Sequence, residues 1–161
     1  MSIILWIDPG TTTTGFALLE KNGSEFRIID FWVLSTTPKI ELWYKLLEIW
    51  NDFRALLEKY SPDLVSIEKL FFNTNITTGI AVSHARWVMV YECMRLGVPY
   101  LEYTPLQVKK AITWSGASNK QQLQKAIQMI FQLETLPTPD DAADAIGLAY
   151  MGWLNMKNIW R

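Results

Sequence analysis

Two apolar runs in this chain stop on a carboxylate. Ile3-Ile4-Leu5-Trp6-Ile7 reads as a strand buried on both faces, and Asp8 follows it at once. Further on, the short run Asp63-Leu-Val-Ser-Ile ends in Glu68. An ionised carboxylate at the edge of a core is costly unless a partner compensates it. Strands of this kind need helices over both faces of their sheet, and open α/β sheets carry their sites at the carboxyl ends of the strands. If the two strands are parallel neighbours, Asp8 and Glu68 meet at one sheet end.

The rest of the pattern fits such a sheet. Gly15–Lys21 and Ser24–Leu34 read as strands flanking Asn22-Gly23, a hairpin signal. With the first strand they form a three-stranded meander. Thr37 as cap and Pro38 at the first helical position open a helix, and its apolar stripe runs through Leu42, Leu46, Ile49/Trp50, Phe53 and Leu56/Leu57 until Ser61-Pro62 stops it. The strand ending at Glu68 follows, and a helix from about Thr77 to Leu96 is closed by Gly97 and Pro99. Tyr100–Tyr103 is a fifth strand. Three helical stretches complete the chain, at about Leu106–Thr113, Lys120–Gln132 and Asp141–Lys157. The expected fold is α/β, with a mixed five-stranded sheet, an antiparallel meander plus parallel strands, flanked by helices in one domain over residues 1–161.

A third segment joins the two acids. Asp141 and Asp144 lie three apart at a helix start and share a face. Ala142, Ala143, Ala145, Gly147 and Ala149 are small, so this helix can press closely against the sheet. Each acid also has a plainer reading. Asp8 can cap its own turn, Glu68 can simply end a strand, and the Asp141/Asp144 pair can complement a helix dipole. Jointly, three separate segments supply four oxygen donors, which suit Mg²⁺ or Mn²⁺. Two such ions about 3.5–4 Å apart support phosphodiester hydrolysis.

Composition narrows the alternatives. The single Cys93 excludes an internal disulfide, and with His84 as the one histidine a zinc site is not expected. His84 reads as an ordinary helix residue and Cys93 as a small core residue. Eight tryptophans are expected mostly in the core or at a self-association surface. No apolar run approaches membrane-spanning length and no signal-peptide pattern opens the chain, so a soluble, cytoplasmic protein without a membrane partner is expected. Net charge is −1, yet Tyr103–Leu133 holds Lys109, Lys110, Lys120 and Lys125 and no acid, while Glu134, Asp140, Asp141 and Asp144 follow together. That segregation suits a basic surface beside an acidic pocket, although four solvated lysines read as well on charge alone. Asp8-Pro-Gly-Thr-Thr-Thr-Thr-Gly15 also looks like the phosphate-binding turn of actin-like ATPases and sugar kinases. Those proteins close two lobes over a nucleotide, which 161 residues are not expected to supply.

The stretches IDPGTTTTG, IEKLFFNTNITTGIAVSHAR, TPLQVKKAI, NKQQLQ and DDAADAIGLA, in this order, resemble the RuvC family of Holliday-junction resolvases over nearly the whole chain. The resemblance implies an RNase H-like fold, a homodimer, and paired Mg²⁺-dependent nicks in four-way DNA junctions during recombination and repair. A branch-migration helicase complex is a candidate partner. The family's four catalytic, metal-holding acids fall on Asp8, Glu68, Asp141 and Asp144. Its junction-wedging aromatic falls on Phe71, with Phe72 beside it, and both rings could instead be partly buried. Its phosphate-contacting lysines fall on Lys109 and Lys120, and Lys110 and Arg86 are further candidate DNA contacts. The resemblance leaves two other readings: an RNase H-like nuclease on other branched DNA or RNA/DNA hybrids, and a binding-only junction protein. Two departures stand out. Trp87 follows Ala85-Arg86 where the family usually has glycine, and the family's glycine-rich loop is reduced to Trp114-Ser-Gly-Ala-Ser-Asn119.

Overall fold

The computed structural model describes residues 1–23, 25–69, 76–132, 146–147 and 150–151, with backbone alone at 25–26, 76–78 and 120. Five strands, β1 (Ser2–Asp8), β2 (Thr13–Asn22), β3 (Glu25–Ser35), β4 (Leu64–Glu68) and β5 (Tyr100–Tyr103), form one sheet in the order β3-β2-β1-β4-β5. The meander β1-β2-β3 is antiparallel, whereas β4 and β5 join β1 in parallel. The helices are α1 (Leu42–Tyr60), α2 (Ile76–Leu96), α3 (Pro105–Thr113) and α4 (Lys120–Ile130), with Ile146, Gly147, Tyr150 and Met151 helical beyond them. Among the described residues, no helix is long and apolar enough to cross a membrane.

Central strands alternate their side chains between two cores. Leu5, Ile7, Phe16, Leu18, Val65 and Ile67 pack under α1 and α2, against Ile49, Phe53, Leu56, Leu57, Met89 and Cys93. Ile4, Trp6, Ala17, Leu19, Leu64 and Tyr103 pack on the other face, under Val108, Ile112, Leu123, Ile127 and Ile146. This is why β1 is apolar throughout: it is the middle strand of three layers.

Sequence punctuation accounts for the helix ends. Ser61 adopts the left-handed conformation at φ 44 and its N–H donates to the Leu57 carbonyl at 2.9 Å, because the following Pro62 disfavours another helical residue. Gly97, at φ 69, closes α2, with Val98 N–H reaching the Cys93 carbonyl at 2.9 Å. Thr104 with Gln107 and Asn119 with Gln122 form capping boxes that start α3 and α4.

Two expectations need correction. α1 begins at Leu42, not at Thr37-Pro38, and its cap residue Glu41 makes no side-chain cap bond. Thr37 is engaged elsewhere, its N–H and hydroxyl donating to the Glu48 carboxylate at 2.8 and 2.7 Å. The hairpin turns one residue later than Asn22-Gly23 suggests, since Asn22 still pairs with Glu25 and Gly23 takes φ 60. The tryptophans, expected in the core or at a self-association surface, divide between buried and exposed positions. Of the six whose side chains are described, only Trp6 is fully buried, while Trp43, Trp87 and Trp114 are exposed. They sit on helix faces and a loop that no other element of the described chain covers.

The turn after Asp8 is braced by threonines. The buried Thr14 hydroxyl donates to the Gly10 carbonyl at 3.0 Å, and Thr36 donates its hydroxyl to Thr11 O at 2.8 Å and its N–H to Thr12 O at 3.0 Å. Gly10 leaves no room for a side chain, because a Cβ there would lie 1.9 Å from the Thr13 carbonyl oxygen. Gly10→Ala is therefore expected to displace the turn and cost about 1–3 kcal/mol of folding stability. Equilibrium denaturant unfolding measures it, and an unchanged midpoint would contradict the turn geometry.

Candidate active site

Asp8 and Glu68 end adjacent parallel strands. Ile4↔Leu64 through Ile7↔Ile67 are paired in register, which brings the next positions, Asp8 and Glu68, level with each other. Neighbouring strands lie about 4.8 Å apart, so the two carboxylates start from adjoining backbone positions. By alternation both point to the face of Ile4, Trp6 and Leu64, the face covered by α3 and α4. Both are half-buried.

Their flanks differ. Across β2, Asp8 faces Gly15, which carries no side chain to crowd it. Across β5, Glu68 is level with the buried Tyr103, and the Lys69 N–H donates to the Tyr103 carbonyl at 2.8 Å, extending the ladder past the acid. Ile146 is buried in the core on this same face. Next to it, Gly147 lies so close to α3 that a Cβ would approach Ile112 Cδ1 to 2.5 Å and Val108 Cγ1 to 3.0 Å. At Gly147 the small residue thus permits close packing against α3, while Ala142, Ala143, Ala145 and Ala149 lie outside the described residues. Asp144 precedes Ile146 by two residues in sequence. Asp141, Asp144, Phe71 and Phe72 lie outside the described residues, as does the side chain of Lys120. Among the described residues, no group of three or more His, Cys, Asp or Glu side chains could hold a metal ion.

The basic candidates separate. Lys109 is half-buried and Lys110 exposed on α3, on the acids' side of the sheet, and Lys120 is the first residue of α4. Arg86 lies on α2, across the sheet, where its guanidinium pairs with Glu102 of β5 and stacks 5.0 Å above the Trp87 ring centroid. Its charge is thus engaged within the fold. Sequence reasoning had no local signal for Glu102 as this partner, nor for Asp63 as the residue whose carboxylate accepts the Ile3 N–H at 2.8 Å.

Known proteins share this chain's sequence pattern and fold. The family described as crossover junction endodeoxyribonuclease RuvC matches residues 4–151. A RuvC from Brevibacillus brevis is 42% identical over 146 residues, 91% of this chain and 88% of the relative. One from Petrotoga mobilis is 43% identical over 148 residues, 92% and 91% of the two chains. Among solved structures, Thermus thermophilus RuvC superposes with a TM-score of 0.85 at 25% identity, covering 97% of this chain and 96% of that one. The T. thermophilus protein in complex with a Holliday junction substrate superposes with a TM-score of 0.84 at 24% identity, over the same shares. These matches and the β3-β2-β1-β4-β5 sheet agree, and the chain belongs to the RuvC family of crossover junction endodeoxyribonucleases.

Proposed function

We propose that this protein resolves four-way DNA junctions by divalent-metal-dependent phosphodiester hydrolysis, with Asp8, Glu68, Asp141 and Asp144 as the ligand set. The observation that carries the reading is the level placement of Asp8 and Glu68 at two adjacent strand ends on one face. The donor chemistry fits Mg²⁺ or Mn²⁺: carboxylate oxygens suit these ions, and the chain's one histidine and one cysteine lie across the sheet on α2. Ions held by these carboxylates would supply Lewis-acid chemistry, making a bound water more acidic and offsetting charge on the leaving oxygen. Asp141 and Asp144 join the set through the resemblance of DDAADAIGLA to the family's acidic motif.

The remaining residues bind and orient. Lys109, Lys110 and Lys120 hold backbone phosphates beside the acids and offset the repulsion between carboxylates and DNA. Phe71 and Phe72 offer rings to bases at the junction centre. The T. thermophilus relative seen with a Holliday junction supports this choice of substrate.

A junction resolved by paired cuts needs two active sites. We propose a homodimer through the outer faces of α1 and α2. There a groove of about 620 Å³ is lined by Leu46, Leu47, Trp50, His84, Trp87, Val88 and Tyr91, and Trp43, Trp87, Tyr91 and Met94 are each more than half exposed. Apolar patches of this kind mark interaction surfaces.

Two outcomes follow from these readings. Asp144→Asn keeps the shape but removes one charge and one strong ligand. Junction cleavage should fall by orders of magnitude, and excess chelator should abolish cleavage by the parent, while junction binding in chelator stays equal or tightens. A folded Asp144→Asn protein cutting at the parent rate would remove Asp144 from the ligand set. Trp87→Asp puts a charge in the middle of the proposed dimer surface. It should sediment as a monomer at concentrations where the parent is a dimer, and nick single strands without the paired cut. A parent that stays monomeric even on a junction would contradict the dimer.

A further inference from the structure

The loop between α3 and α4 presents the most exposed large apolar side chain among the described residues. Trp114 is 92% exposed, and its backbone is left-handed at φ 60, ψ 5, a conformation that favours glycine and is an outlier for a bulky side chain. The loop holds it there. The Thr113 hydroxyl lies 2.7 Å from the Lys109 carbonyl oxygen, 2.8 Å from the Ser115 carbonyl oxygen and 2.5 Å from the Ser118 hydroxyl. The Ser118 hydroxyl also donates to the Ser115 carbonyl at 2.9 Å. Gly116 folds back along α3, where a Cβ would lie 2.6 Å from Leu106 Cδ1. Among the described residues, Trp114 has no ring, cation or hydrogen-bond partner.

A strained, tied and unpartnered indole is a feature to be explained. Its surroundings favour one occupant. Lys109 and Lys110 lie on the helical turn before it, Lys120 opens the helix after it, and the segment Tyr103–Leu133 holds no acid. Basic side chains gather phosphates, and an exposed ring beside them stacks on a base. A protein partner or a second copy would not call for this uniformly positive frame.

We propose that Trp114 stacks on an unstacked base of the bound junction, as an aromatic contact on the α3–α4 loop that complements the phosphate-holding lysines. The inference rests on the junction-binding reading above. The test compares the parent, Trp114→Gly and Trp114→Phe for binding to a four-way junction and to duplex of the same sequence, in chelator, over a salt series. Glycine adopts this backbone without strain, so Trp114→Gly should be folded, with a thermal midpoint equal to or above the parent's. Its junction affinity should fall about tenfold, with the salt dependence unchanged and duplex binding unaffected, and Trp114→Phe should retain most of the affinity. Unchanged junction affinity in Trp114→Gly overturns the inference alone. So does a loss that extends equally to duplex, or one accompanied by a shallower salt slope, since that marks a lost phosphate contact. A parent that does not bind the junction overturns both this inference and the proposed function.

Discussion

Ile3 and Asp63 hold β1 against β4 by two hydrogen bonds of 2.8 Å, from the Ile3 N–H to Asp63 Oδ2 and from the Asp63 N–H to the Ile3 carbonyl. The rest of the structure hangs on this register. A parallel pair has no tight turn to set it, and a slip of one residue would send every side chain of a strand to the opposite face. Leu64, Val65, Ser66 and Ile67 are all buried, so a slip would break both cores at once. Counting on from Ile3 and from Asp63 reaches Asp8 and Glu68 in the same number of steps. The lock at one end of the strands is therefore what levels the acids at the other.

The sheet separates two kinds of surface. Under α1 and α2 the packing is apolar and closed, and the one buried charge among the described residues is fully served. Glu92, with no exposed surface, accepts from Arg95 Nη2 at 2.6 Å, Arg95 Nε at 2.8 Å and Trp50 Nε1 at 2.9 Å. The Arg95 bonds, joined by that from Trp50, hold its carboxyl below the usual range despite burial. Losing Arg95 would leave a buried charge without its main compensation. Because Trp50 belongs to α1 and Glu92 to α2, the network also pins the two helices whose outer faces carry the proposed dimer surface. The neighbouring Cys93 is chemically quiet, its thiol pushed up to about 12 by burial and the nearby Glu92 charge.

Most of the sheet was legible in the sequence, and the reasons are local. Two apolar runs ending in acids, a glycine at a hairpin and a Ser-Pro stop each act within a few residues. Where the reading failed, a distant partner decided. Thr37-Pro38 has the form of a helix start, but Glu48 takes both donors of Thr37 and the helix begins at Leu42. Arg86 likewise has a distant partner, Glu102 on another element, that no local signal gave. For the tryptophans the sequence left core and self-association surface open, because apolar composition alone does not distinguish the two. Of the four acids, the parallel pairing levels Asp8 and Glu68, while Asp141 and Asp144 lie outside the described residues.

Charge placement reconciles a net charge of −1 with a polyanionic substrate. Arg54, Arg86 and Arg95 are spent on Glu58, Glu102 and Glu92, all on α1, α2 or β5. Among the described residues, no ion pair holds Lys109 or Lys110. These lysines sit on the helix that covers the same sheet face as Asp8 and Glu68. Screening limits charge effects to about 8 Å at physiological salt, so a partner meets the sign of the nearest surface rather than the net sum. With Arg54, Arg86 and Arg95 paired, and no ion pair on Lys109 or Lys110 among the described residues, the proposed cleavage face has its own local potential. A phosphate backbone drawn to that face arrives where the acids are.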